Sequence, residues 1–320
     1  MTRVGAVDCG TNSIRLLIAD VVEDGADGVL RVRDVHREMR IVRLGQGVDA
    51  TGEFAPEAIA RTQAALTGYA ELLTSSDVSR IRMVATSATR DARNRDDFFA
   101  MTADILGAVV PGSVAEVITG NEEAELSFRG AVGELEAAGA PFVVVDLGGG
   151  STEVVLGDSN GVQAGFSADI GCVRLTERCL HSDPPTATEI AAAREVVRER
   201  LGEALRVVPV ESARTWVGVA GTFTTIAALA QNMTRYDPAA IHLSRVGFDE
   251  LLPVCAQLIG MTRKQRAALG PMHEGRVDVI GGGAIVVEEL AYALGAGAGI
   301  DALTVSEHDI LDGIALSLAQ

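Results

Sequence analysis

Two short segments of this sequence repeat one chemical pattern. Residues 4–18 (VGAVDCGTNSIRLLI) and 142–156 (FVVVDLGGGSTEVVL) each pass from an apolar β-type run to an aspartate, a glycine-rich turn with Ser or Thr, and a second β-type run. Without a Cβ, glycine lets backbone N–H groups come close to an anion. The hydroxyls of Thr11, Ser13, Ser151 and Thr152 add donors. An aspartate closing the first run, Asp8 or Asp146, can hold a divalent cation directly or through water. Asp and Gly are also the common residues of β-hairpin turns, and a single copy leaves the two readings level. Two matching copies favour phosphate cradles, built from Gly10, Thr11, Asn12 and Ser13 in one and Gly148, Gly149, Gly150, Ser151 and Thr152 in the other.

Two more glycine-rich turns point the same way with less force. AGTFTT (220–225), containing Gly221 and Thr222, and GGGAI (281–285) each follow a β-like run and open a helix. A helix N-terminus attracts anions, although helix–strand packing also calls for small residues.

The elements that must hold these turns are of mixed α/β type. Residues 29–44 alternate with period two and read as a long strand bent near His36. A helix led by Pro56 spans about 56–74. IRMVATSA (81–88) is a strand followed by one helix carrying Arg90, Arg93 and Arg95. SVAEVI (113–118) is a short strand and 121–139 a helix. Residues 161–171 form a strand, about 187–205 a long charged helix, and TWVGVAG (215–221) another strand. In VDVIGGGAIVVEEL (277–290) the triple glycine marks a turn, and HDILDGIALSLA is an amphipathic helix. The repeat implies two similar halves, with the boundary near the 121–139 helix.

Composition narrows the function. The 320 residues carry a formal charge of −17, which argues against a non-specific nucleic-acid binder or a protein of anionic membranes, since both use basic surfaces. Aromatics make up only 4% of the chain, so its cores must be aliphatic. Lys264 is the single lysine, so there is no P-loop lysine and any lysine-based catalysis would have to use this residue in the polar stretch TRKQR. Cys9, Cys172, Cys179 and Cys255 are scattered, with no C-x-x-C pair, and are expected to be free and buried. No signal-peptide pattern precedes the first strand and no apolar run nears the roughly 20 residues of a membrane span. The expectation is a cytoplasmic protein.

The four turns together resemble the acetate and sugar kinase/Hsp70/actin superfamily. Within it the chain resembles the exopolyphosphatase/guanosine pentaphosphate phosphohydrolase (Ppx/GppA) family over essentially its whole length. The resemblance is carried by DCGTNSIRLLI (8–18), ATSATRDARN (85–94), ITGNEEAELSFRGA (118–131), DLGGGSTE (146–153), AGTFTTIAAL (220–229), RVDVIGGGAI (276–285) and SEHDILDGIA (306–315). It implies two ribonuclease-H-like domains around an active-site cleft, expected at 1–124 and 125–305, with a C-terminal helix (306–320) packing back on the first. The helical HD-type extension of larger relatives is not in this sequence, which favours short polymers as substrate.

The resemblance also implies roles. Glu123, the second of the pair Glu122–Glu123, would act as general base on a water attacking the terminal phosphorus; for Glu122 a catalytic role and simple complementing of the helix N-terminus stand level. Arg90 would bind substrate phosphate, and Arg93, sharing its helix face, could assist or lie on the surface. Asp146 and Glu153 form a candidate Mg²⁺ (or Mn²⁺) pair, with Asp8 the matching carboxylate of the other half, and no organic cofactor is expected. His242 and His273 have no metal-ligand spacing. The expected activity is Mg²⁺-dependent release of orthophosphate from inorganic polyphosphate. The alternatives are hydrolysis of guanosine pentaphosphate (pppGpp), a sugar or acid kinase, and a sensor of guanosine tetraphosphate (ppGpp). A water-activating Glu argues against the kinase, and the intact acidic set against a pure sensor. A homodimer is the expected assembly. An acidic protein can take a polyanion if binding is local, through amides, hydroxyls, a few arginines and metal.

Overall fold

The β-type runs pair in two sheets of related order. The computed structural model describes residues 2–24 and 29–319. In the first sheet, β1 (Thr2–Cys9), β2 (Ser13–Asp24), β3 (Val29–Ile41), β4 (Arg80–Ala85) and β5 (Ala115–Val117) take the order β3-β2-β1-β4-β5. The β1–β2 and β2–β3 pairs are antiparallel, whereas β4 and β5 join in parallel. The second sheet contains β6 (Phe142–Leu147), β7 (Thr152–Asp158), β8 (Gly161–Ala168), β9 (Thr215–Val219), β10 (Arg245–Gly247) and β11 (Ala302–Val305), in the order β10-β11-β9-β6-β7-β8. Removing the short β10 leaves the same arrangement, with β6–β8 in place of β1–β3 and β9 and β11 in place of β4 and β5. This is the ribonuclease-H-like order, present twice.

The chain divides into two compact units, Met1–Gly133 with Ile310–Gln320, and Glu134–Asp309. The divisions fall later than 124/125 and 305/306, because the whole helix Gly120–Val132 packs within the first unit against the helix Ile310–Ser317. That contact is close: a methyl on Gly313 would lie 2.0 Å from the Leu126 carbonyl oxygen.

The first sheet is covered on both faces, so its central strands are apolar throughout rather than alternating. Val7, Cys9, Ile14, Leu16 and Met83 pack with Leu66, Tyr69, Phe98 and Leu106. On the other face Val4, Ala6, Leu17 and Val84 pack with Ile118, Leu126, Ile310 and Ile314. The second core is built around Val143, Val145, Trp216, Phe223, Ile285 and Leu290.

Several local expectations need correction. The strand from residue 29 stops at Ile41, and its bend is a bulge: Ile18 pairs with His36 and Ala19 with Asp34, leaving Val35 extra. The helix after β4 is two helices, Ser87–Asp91 and Arg95–Gly107, so Arg90 and Arg93 share no face. The helix expected over 121–139 ends at Val132. The triple glycine is no turn but lies inside the helix Ile280–Ala298, preceded by the short 3-10 helix Glu274–Arg276 rather than a strand. Side chains on Gly281, Gly282 and Gly283 would meet Arg266, Thr176 and Thr222 at 2.4, 2.5 and 2.7 Å, so close packing explains all three. This helix is also long and apolar enough to cross a membrane, contrary to expectation, but it is mostly buried in the second core, where Glu288 and Glu289 pair with Arg194 and Arg198.

Candidate functional site

The two glycine-rich loops have one geometry. In the first, Cys9 pairs with Ile14 and the Gly10 N–H donates to the Ser13 carbonyl at 3.0 Å. In the second, Leu147 pairs with Thr152 and the Gly148 N–H donates to the Ser151 carbonyl at 3.1 Å. The loop carbonyls are tied back into the protein. Thr11 O accepts from Gly45 N, and Asn12 O from Val42 and Arg43 N. Gly148 O accepts from Cys172 N, and Gly149 O from Val173 and Arg174 N. In a planar trans peptide the C=O and the following N–H point in opposite directions. The N–H groups of Asn12, Ser13, Gly149 and Gly150 therefore face away from these anchors, the orientation an anion cradle requires. Gly171 permits the second anchor, since a methyl there would lie 2.4 Å from the Gly149 backbone. Thr11 Oγ1 and Thr89 Oγ1 are buried and make no hydrogen bond.

At the position after these loops the two copies differ in sign. Asp8 pairs across the ladder with Arg15, whose Nη2 and Nε reach its Oδ2 at 2.7 and 2.9 Å. A fixed guanidinium thus already supplies positive charge at Asp8. Asp146 pairs across the ladder with Glu153, and both are buried. Ser167 Oγ donates to Glu153 Oε1 at 2.7 Å. Two opposed buried carboxylates are destabilising unless a proton or a cation lies between them. Their hard oxygen donors suit Mg²⁺ or Mn²⁺.

Glu122 and Glu123, adjacent in sequence, have different surroundings. Thr119 caps the helix Gly120–Val132 by accepting from the Glu122 N–H. Glu123 turns inward, buried, and Arg90 Nη1 donates to its Oε2 at 2.7 Å and to the Ile118 carbonyl at 3.1 Å. Glu122 turns outward to Arg82, which also holds Glu116. Arg93 lies beyond its helix, 70% exposed, bonded to the Thr51 carbonyl and Glu53. The structure brings Arg90 to Glu123 and leaves Arg93 with the 51–53 segment.

Against the 220s turn stands a residue that motif reading overlooked, Arg276. Gly221 opens the helix Gly221–Ala230, with Thr222 buried, and Ala220 before it sits at φ 71° and ψ 172°, a positive-φ conformation costly for a residue with a Cβ. A methyl on Gly221 would lie 2.1 Å from a guanidinium nitrogen of Arg276, and Arg276 Nη1 donates to Thr225 Oγ1 at 3.2 Å. A cation thus stands at the positive end of a helix, which together favour an anion. The signal was the arginine heading RVDVIGGGAI, beside glycines that drew attention for the wrong reason.

The remaining candidates are structural. His273 accepts from the Gly275 N–H, and burial lowers its imidazole pKa. The four cysteines are free, and burial pushes the Cys172 thiol up to about 11, which keeps it protonated.

Known proteins are similar to this chain in sequence and fold. Residues 18–318 match the Ppx/GppA phosphatase family. The chain is 76% identical to exopolyphosphatase 2 of Mycobacterium tuberculosis H37Rv, over all of this chain and 99% of that one. A crystal structure of an exopolyphosphatase-like protein superposes with a TM-score of 0.92 at 42% identity, covering 99% of this chain and 98% of that one. The Ppx/GppA family member of Aquifex aeolicus gives a TM-score of 0.77 at 30% identity, covering 99% and 97%.

Proposed function

This chain belongs to the Ppx/GppA phosphatase family, and from that premise we propose that it is an exopolyphosphatase, removing orthophosphate from the end of inorganic polyphosphate. The observation that carries the mechanism is the separation of Glu122 from Glu123: one faces outward to Arg82, the other is buried on Arg90. A buried carboxylate held in one place is suited to take a proton from water.

Asp146 and Glu153 would hold Mg²⁺ or Mn²⁺, which supplies charge neutralisation for phosphoanhydride oxygens. The N–H groups of Gly149 and Gly150, the hydroxyls of Ser151, Thr152 and Thr222, and the Arg276 guanidinium would hold the phosphates in the second unit. The first unit offers the Asn12 and Ser13 amides and the Thr11 hydroxyl. Glu123 accepts a proton from water as the water oxygen bonds to the terminal phosphorus and the bridging P–O bond breaks. The products are orthophosphate and a chain shorter by one phosphate. Arg90 keeps the Glu123 carboxylate in place and offers its remaining N–H groups to the terminal phosphate.

The net charge of −17 fits local binding of a chain end, and favours short chains over long ones that trail across an acidic surface. Glu123→Gln tests the mechanism. It should lower kcat by about 10²–10⁴-fold with little change in KM, and full activity in that variant would refute the general base.

A further inference from the structure

Away from the loops, three side chains from distant segments meet where the chain passes between its units. Glu134 is the first residue after the passage at 133/134, and His308 lies just before the return at 309/310. His242 ends the short helix Pro238–Ile241. One ligand-type atom from each lies within 4.8 Å of the others. His242 Nε2 is 3.1 Å from Glu134 Oε2, His308 Nδ1 is 3.8 Å from Glu134 Oε1, and the two imidazoles stack at 4.5 Å between centroids.

Hydrogen bonding decides what this cluster can do. The Glu307 backbone N–H points at His242 Nδ1 at 3.2 Å, so that nitrogen accepts and the ring proton sits on Nε2, donated to Glu134. A metal-bound histidine needs the opposite, a bare nitrogen inward and an N–H outward to an acceptor. The same Glu307 N–H opposes a second proton on His242. His308 faces no such obstacle: with a proton on Nδ1, its 3.8 Å approach to Glu134 becomes a charge-assisted pair. The return segment is firmly based, since Ser306 N donates to the Gly218 carbonyl, Val305 N to the Ser244 carbonyl, and Ser306 Oγ and His308 exchange two hydrogen bonds.

We propose that Glu134, His242 and His308 form a proton-operated latch tying the two passages between the units together. Neutral His242 fixes one oxygen of Glu134, and His308 closes on the other when protonated. Among the described residues, the titratable groups in contact with His308 include Glu134 from the outgoing segment and His242 at the end of the 238–241 helix, with Glu307 and Asp309 beside it in the chain. Tyr236 donates to Glu307 Oε1, and burial pushes its phenol up, so it remains a donor. Because protonated His308 gains a partner in Glu134, the latch is closed at lower pH and opens as pH rises.

Hydrogen–deuterium exchange of the full chain at pH 6 and pH 8, corrected for intrinsic rates, tests this. The amides of 134–136 and 306–309 should be about threefold or more better protected at pH 6. His308→Gln and Glu134→Gln should each abolish the difference. Independently, imidazole NMR of the wild type at pH 8 should show the Nε2–H tautomer of His242. A pH difference that survives in His308→Gln, an Nδ1–H tautomer of His242, or stoichiometric Zn²⁺ binding lost in His242→Gln would each overturn the latch.

Discussion

Asp146 and Glu153 stand directly opposite one another on β6 and β7, both buried, where the first copy of the same loop opposes Asp8 with Arg15. One hairpin has thus been used twice with opposite charge at a single position. The first copy sets an arginine opposite its aspartate, and the second sets a carboxylate there instead.

That opposition predicts a stability signature independent of turnover. Mg²⁺ should raise the melting temperature, by the equivalent of about 2.7 kcal/mol at a hundredfold excess over Kd. Glu153→Gln should lose the Mg²⁺ increment while melting no lower than wild type in EDTA, because a like-charge repulsion is removed. Calorimetry with and without Mg²⁺ reads both.

Thr11 Oγ1 is buried with no hydrogen-bond partner, so its hydroxyl contributes nothing to the fold that valine would forfeit. Thr11→Val should leave stability unchanged or slightly raised. If that hydroxyl serves substrate, KM should rise several-fold, a split that steady-state kinetics and thermal melts together resolve.

Much of this was legible in the sequence. The Asp–Gly repeat gave both hairpins, because a β-type run, an Asp–Gly turn and a second run leave few alternatives. The order of motifs gave the family, and with it the expectation for Glu123. The rest depended on contacts remote in sequence. Arg90 and Arg93 were expected on one helix face until Ala92–Asn94 proved non-helical, and Glu53, forty residues earlier in the chain, took Arg93. Arg15 as the neutraliser of Asp8 appears only once strand register is known. The triple glycine looked like a turn because crowding by Arg266, Thr176 and Thr222 leaves no mark on local sequence.

The helix carrying Glu123 is positioned by contact with the C-terminal helix at Gly313, which touches the Leu126 backbone. Gly313→Ala should therefore destabilise by about 1–3 kcal/mol, despite alanine's better helix propensity. It should also lower kcat by displacing Glu123. Denaturant unfolding and turnover measured on the same preparation check both parts.

Glu189 completes a capping box with Thr186 at the start of the helix Ala187–Val207. The Thr186 N–H and hydroxyl, with the amides of His181 and Ser182, hold its carboxyl down to about 2. A depressed carboxylate contributes stability that is complete above the ordinary carboxylate range and is lost as pH falls through its own value. Glu189→Gln should lower stability at pH 7 and flatten the decline from about pH 5 toward pH 2, as read by melting temperature against pH.

The most direct measurement is phosphate release from short polyphosphate, long polyphosphate, pppGpp and ATP in parallel, each with and without Mg²⁺. Mg²⁺-dependent release is expected, highest from short polyphosphate, lower from long chains and lowest from the two nucleotides. Turnover of pppGpp equal to or above that of polyphosphate would contradict it.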